Sequence, residues 1–210
     1  MASILIADDH AVVRQGLRQI IEDNFHDMSI GEAATGEAAL EQVRNRNWAL
    51  VILDLGLPGK SGLEVLKELK HDYPRLPVLV LSMYPEDQYA VRVLRAGAAG
   101  YLTKGTAPEE LVKAIQKVLR GGKYVSPLLA EKLALDLEAP NLVPPHATLS
   151  DREYEVMLKI ATGSSIKEIA SQLGLSSKTV STYRERILEK MRMKSNADLT
   201  YYAIRNNLVD

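Results

Sequence analysis

Five polar side chains stand at the ends of short apolar runs. Asp8 and Asp9 follow Ile4–Ala7, Asp54 follows Leu50–Leu53, Ser82 follows Val78–Leu81, and Lys104 comes two residues after Gly100–Leu102. A single acid in such a place is as well explained by helix capping or solubility. Five polar groups at the ends of four such runs are not. Three carboxylates brought together repel and raise one another's pKa unless a cation is bound. An oxygen-only donor set suits a hard divalent ion, Mg²⁺ ahead of Zn²⁺. A lysine beside it adds a fixed positive charge, and a serine hydroxyl adds a neutral donor. That set can hold a phosphoryl group: metal and ammonium neutralise its oxygens while a carboxylate attacks.

These residues converge only if the runs are parallel strands of one sheet. Ile4–Ala7, Ile30–Ala34, Leu50–Leu53, Val78–Leu81 and Gly100–Leu102 alternate with amphipathic stretches at Val12–Ile21, Glu37–Asn45, Leu63–Lys70, Asp87–Ala96 and Pro108–Leu119. The first of these helices turns Val13, Leu17, Ile20 and Ile21 inward. Apolar strands alternating with helices imply a parallel sheet covered on both faces. The pattern predicts a doubly wound (βα)5 α/β domain, in which ligands bind beyond the carboxyl ends of the strands.

The strand signal stops after residue 122. Leu128–Leu137 reads as a connector helix, and Ala139–Ala147, with Pro140, Pro144 and Pro145, has linker composition. The organisation predicted is 1–122, a connector and linker at 123–147, and 148–210. In the last segment Ser150-Asp151-Arg152-Glu153 is a capping box. It opens a helix through Ala161, followed by helices at Ile166–Leu173, from Ser176-Ser177 to Met191, and at Ala197–Asn206. Four short helices with a glycine turn at Gly174 predict an all-α helix-turn-helix domain.

The third of these helices divides cleanly. Val180, Ile187 and Met191 fall within about 40° of one another at ~100° per residue, while Lys178, Ser181, Thr182, Glu185 and Glu189 face the other way with Arg186 at the margin. By itself this is any solvated helix. Behind Ile166–Ala170 and the Gly174 turn, it fits a recognition helix, which reads base edges with short polar side chains and phosphates with Lys or Arg. Charge supports this division. Residues 1–125 carry 15 basic and 16 acidic side chains, whereas 175–194 carry six and two.

Composition excludes other classes. A chain that is 46% apolar and 25% charged is not disordered over most of its length. With no cysteine, thiolate chemistry and cysteine zinc sites are out. No run reaches the ~18 apolar residues of a membrane span. The N-terminus meets Asp8 before a signal-peptide core can form, so the expected location is the cytoplasm.

The chain resembles a two-component response regulator of the NarL/FixJ (LuxR-type) subfamily over essentially its whole length. The resemblance is carried by Asp8-Asp9, by Asp54 with Pro58-Gly59 and Gly62, by Ser82, and by Gly97 through Lys104. Leu173 through Val180 and Ile187 through Met191 carry it in the second half. It implies that Asp54 accepts a phosphoryl group from a sensor histidine kinase. Asp9, Asp54 and the Gly56 carbonyl would bind Mg²⁺, with Asp8 acting through water. Lys104 and Ser82 would contact the phosphoryl oxygens, and Tyr101 would be the switch aromatic. In the DNA-binding half, Ser181, Thr182 and Glu185 would meet base edges of double-stranded DNA. Lys178, Thr179, Arg186 and Lys190 would meet phosphates. Arg184, where many relatives are apolar, is expected to reach a phosphate rather than pack. Phosphorylation would uncover the recognition helix and favour a homodimer, with Leu199, Tyr202 and Ala203 of the last helix as its surface.

Gly56-Leu57 departs from the methionine-containing turn common in the family, and glycine there would loosen the loop. Tyr101 also reads as an ordinary sheet residue, Trp48 as packing, Met83-Tyr84 as part of the surface that changes on activation. His10 is given no ligand role. Two rivals remain. An aspartate-nucleophile phosphatase would carry a proton-donating acid two residues after Asp54, where Gly56 stands. A purely dimerising receiver would have no use for the acid cluster.

Overall fold

The computed structural model describes residues 2–127, 129–131, 144–206, 208 and 209. The chain forms two compact units, Met1–Leu133 and Ala134–Asp210. In the first, β1 (Ala2–Ala7), β2 (Met28–Ala33), β3 (Leu50–Leu53), β4 (Val78–Ser82) and β5 (Gly100–Thr103) alternate with α1 (Ala11–Asn24), α2 (Gly36–Asn45), α3 (Gly62–Asp72), α4 (Glu86–Arg95) and α5 (Pro108–Leu119). The strands pair in parallel in the order β2-β1-β3-β4-β5. This is the doubly wound α/β sheet that the alternating pattern predicts.

Strand side chains alternate between two buried faces. Ile4, Ile6, Leu50, Ile52, Leu79 and Leu81 pack with Leu17 and Ile21 of α1 and with Leu111, Ile115 and Val118 of α5. Val13 and Ile20 lie against this core, partly buried. Sheet order reverses between β1 and β3, which places the crevice of the switch point at their carboxyl ends. Ala7 pairs with Leu53 in register, and the Asp54 amide donates to the Ala7 carbonyl at 2.8 Å. Asp8 and Asp54 therefore leave the sheet side by side.

The loop after Asp54 is fixed by α3. Ser61 caps that helix in a reciprocal box with Glu64. A Cβ on Gly62 would lie 2.0 Å from the Asp54 carbonyl oxygen, so helix and strand end approach as closely as they do only with glycine there.

After α5 the chain turns back along the sheet edge. The Tyr124 amide donates to the Ala99 carbonyl at 2.8 Å and Tyr124 forms an isolated parallel bridge with Gly100. Residues 127 and 129–131 are helical. The rest of the connector helix read at Leu128–Leu137, and most of the linker, lie outside the described residues.

The second unit holds a 3-10 turn (Pro145–Thr148), α6 (Asp151–Ala161), α7 (Ile166–Leu173), α8 (Ser177–Met191) and α9 (Asn196–Arg205). Capping boxes open α6, α7 and α9, Ser176 caps α8, and Gly174 ends α7 in the left-handed region at φ 63. Val180, Ile187 and Met191 of α8 are buried, as the wheel predicts. The prolines at 144 and 145 read as linker; Pro145 instead pre-sets the first turn of the 3-10 helix. His146 there bonds the Tyr202 hydroxyl of α9 through Nδ1 at 2.7 Å.

Gly62→Ala is expected to lower the melting temperature of the first unit by roughly 5–10 °C, the effect of about 2 kcal/mol of backbone displacement in a domain of this size. Calorimetry on the full chain, with Gly16→Ala as the control that meets open space, checks this.

Candidate functional site

At the carboxyl edge of the sheet, one ammonium sits between two carboxylates. Lys104 Nζ lies 2.7 Å from Asp8 Oδ2 and 2.8 Å from Asp54 Oδ2, and all three side chains are less than a tenth exposed. The short stretch after β5 brings Lys104 here, its amide held by the Ser82 carbonyl at 2.8 Å. Burial pushes the Asp54 carboxyl above the usual range; Lys104 pulls it back and the charge of Asp8 pushes it further up. Burial is also the largest single influence on Lys104 and lowers it. Its two carboxylate partners together outweigh that and hold the ammonium above the ordinary lysine value.

Asp9 and His10 lie at the rim of the same crevice. His10 Nδ1 is 2.6 Å from Asp9 Oδ1 and 3.3 Å from Asp8 Oδ1, and the His10 amide donates to Asp8 Oδ1 at 2.9 Å. One potential ligand atom from each of Asp8, Asp9, His10 and Asp54 lies within 4.8 Å of the others. A hard divalent ion with ligands at about 2.1–2.6 Å fits between carboxylate oxygens so placed. Gly56 follows on the exposed loop, and its amide hydrogen-bonds Asp54.

Ser82, the last residue of β4, is buried beside this edge, and its Oγ accepts the Tyr84 amide at 3.3 Å. Tyr101 is fully buried and donates its hydroxyl to the Tyr84 carbonyl at 2.7 Å. Ser82 and Tyr101 are thus joined through the backbone of one residue, Tyr84, which also stacks on Tyr89 of α4 at 4.5 Å. Met83 projects from the same loop, exposed.

On α8, Lys178, Thr182, Glu185 and Arg186 are exposed and Thr179 and Ser181 partly so. The Thr182 hydroxyl donates to the Lys178 carbonyl at 3.1 Å, and Thr179 shares a 2.8 Å contact with the Ser176 cap. Two basic residues are engaged elsewhere. Lys190 Nζ pairs with Glu153 Oε2 at 2.6 Å, and Arg184 Nε donates to Asn196 Oδ1 at 2.6 Å. In the last helix, Leu199 and Ala203 are fully buried and Tyr202 is tied to His146. The apolar side chains α9 leaves outside are Tyr201 and Ile204, which corrects the expected dimer surface: the inward stripe of a short helix is consumed by its own domain.

Residues 4–116 match the response regulator receiver domain, and residues 147–203 match the bacterial regulatory proteins of the luxR family. The response regulator UvrY of Escherichia coli is 38% identical over 209 residues, 99% of this chain and 96% of that protein. The response regulator GacA of Pseudomonas aeruginosa is also 38% identical, over 100% of this chain and 99% of that one. The structure of RcsB from Salmonella enterica bound to promoter rprA superposes with a TM-score of 0.66 at 29% identity. It covers 96% of this chain and 97% of that one. The chain is a two-component response regulator.

Membership makes it a DNA-binding transcription regulator. Among the described residues no helix is long and apolar enough to cross a membrane. In this response regulator, sequence reasoning missed the pairing residues Glu153 and Asn196 and the Tyr84 carbonyl. Only the Ser150–Glu153 box had marked Glu153 at all.

Asp54 holds its proton more tightly in the folded chain than its ordinary value of 3.8 would require. Its ionised form therefore weighs against folding above the folded pKa, and the cost vanishes as pH falls below 3.8. Asp54→Asn should raise the receiver's melting temperature by a few degrees at pH 7, with the advantage shrinking toward pH 4. Thermal melts of both chains across that range check the sign.

Proposed function

We propose that Asp54 takes a phosphoryl group from the phosphohistidine of a sensor histidine kinase and that the resulting acyl phosphate switches promoter binding. A carboxylate oxygen of Asp54 attacks phosphorus; the phosphorus–nitrogen bond breaks, and its electron pair leaves with the imidazole. The observation that carries this reading is the Lys104 ammonium set 2.7 Å from Asp8 Oδ2 and 2.8 Å from Asp54 Oδ2, where its charge also faces the oxygens of a phosphoryl group taken up by Asp54. Lys104 neutralises charge on those oxygens without rearranging first. Asp9, Asp54 and the Gly56 carbonyl would hold Mg²⁺, with Asp8 acting through water; the ion supplies charge neutralisation between attacking carboxylate and phosphate.

Once phosphorylated, Asp54 offers Ser82 an acceptor. The Ser82 hydroxyl turns toward it and gives up the Tyr84 amide, and Tyr101 follows because its hydroxyl is bonded to the same residue. The loop before α4, with Met83 exposed on it, is the surface that this changes.

The output is DNA binding in the cytoplasm by a homodimer. Lys178, Thr179 and Arg186 contact phosphates, while Ser181, Thr182 and Glu185 face base edges, as their exposure on α8 allows. The exposed Tyr201 and Ile204 of α9 supply the dimer surface. Promoter-bound RcsB and paired RcsB dimers on DNA, as those structures are described, support two copies on paired half-sites.

Intact-mass spectrometry after incubation with acetyl phosphate and Mg²⁺ tests the acceptor. One phosphoryl group on the wild-type chain and none on Asp54→Asn is the expected result. An unmodified wild type, or a phosphoryl group retained by Asp54→Asn, would remove Asp54 from this role.

A further inference from the structure

The recognition helix is gripped on both flanks. Val180, Ile187 and Met191 mark the line of α8 that faces the domain. At ~100° per residue, Lys190 falls roughly 80° to one side of that line and Arg184 roughly 40° to the other. Lys178 lies roughly 160° away, on the outer face. Both flanking side chains reach a neighbouring helix. Lys190 pairs with Glu153 in the first turn of α6, and Arg184 with Asn196, the first residue of α9. The two anchors are themselves fixed. Glu153 Oε2 also accepts the Ser150 amide at 2.7 Å in the α6 capping box, and its side chain is only 3% exposed. Asn196 opens α9 directly after the Ser195 cap. Helices α6 and α9 also pack against each other.

Apolar contacts are non-directional, so a buried hydrophobic line leaves a helix more freedom to roll than directional hydrogen bonds do. Two hydrogen-bonded pairs on opposite flanks remove that freedom. We infer that Arg184 and Lys190 are positioning residues that fix the roll of the recognition helix about its axis, and that neither is a DNA phosphate ligand. Both carry a positive charge near DNA, so charge counting alone would assign them to the backbone. Their pairing assigns them to the angle at which Ser181, Thr182 and Glu185 meet the groove. This inference rests on the DNA-reading role proposed above for α8.

Phosphate ligands and positioning residues separate in salt dependence. Each phosphate neutralised contributes about 0.9 to the slope of log K against log salt, independent of sequence. A roll-setting residue contributes to discrimination instead. The experiment uses the full chain treated with acetyl phosphate and Mg²⁺. Its probes are a duplex recovered by in vitro selection on the wild type and a scrambled duplex of equal length. Lys178→Met should lower the slope by about 0.9 per bound protomer. Arg184→Met and Lys190→Met, which keep the aliphatic stem, should leave the slope unchanged. They should instead reduce the ratio of selected to scrambled affinity about 5–20-fold, the order of one poorly read base pair.

Asn196 is exposed, so its variants guard against loss of folding. Asn196→Ala should reproduce the lost ratio, Asn196→Asp should retain it, and Asn196→Ala should add nothing to Arg184→Met. A slope that falls by about 0.9 in either methionine variant overturns the inference, since the residue is then a phosphate ligand. An unchanged ratio overturns it too, because the grips would then be idle. A wild-type chain that does not distinguish the two duplexes removes the DNA-reading role itself, and this inference with it.

Discussion

Two buried carboxylates within hydrogen-bonding reach of one ammonium are the constraint around which the first domain is arranged. At the low effective dielectric of such a site, Asp8 and Asp54 repel strongly, and Lys104 makes their joint burial tolerable. The parallel sheet delivers the three residues from different strand ends. The turn after Asp54 closes over them through Gly62, and α3 is capped immediately beyond it. The arrangement is balanced rather than relaxed: burial holds Asp54 above its ordinary pKa even with the ammonium in contact. In the function proposed above, a dianionic group on Asp54 would shift that balance, which is what a switch needs at its input.

In the proposed switch, the shift would be passed on by hydrogen bonds rather than by distance. Ser82 and Tyr101 both hold Tyr84, one through its amide and one through its carbonyl, so a change at the serine alters a backbone that the tyrosine also reads. In the second unit the same economy appears. Glu153 caps α6 and also grips α8 through Lys190, so one buried carboxylate both starts a helix and orients its neighbour. Burial would raise its pKa, but the Lys190 and Ser150 partners outweigh this and keep it below the ordinary value, charged and available as an acceptor.

Much of this was legible in the sequence because the signals are local. Four-residue apolar runs ending in Asp54 or Ser82 identify a buried strand and its functional end together, and the strand boundaries differ from the reading by one or two residues. The Val180, Ile187 and Met191 line was readable because helical periodicity needs no knowledge of neighbours. What could not be read depends on which helices meet. Lys190 and Glu153 are 37 residues apart, and nothing in either segment specifies the pairing. Leu199 and Ala203 read as a dimer surface because an apolar stripe looks the same whether it faces its own core or a partner. His146 sat in a proline-rich stretch whose composition concealed a 3-10 turn docked on α9.

In the proposed function, the charge balance at Asp54 controls the affinity of α8 for DNA. Its most direct test measures full-chain affinity for one selected duplex with and without beryllofluoride and Mg²⁺, in wild type and in Asp54→Asn. The expected result is a tightening of roughly 5–150-fold, about 1–3 kcal/mol of coupling, in the wild type and none in the variant. Equal affinity in all four measurements, or the same tightening in both chains, would contradict it.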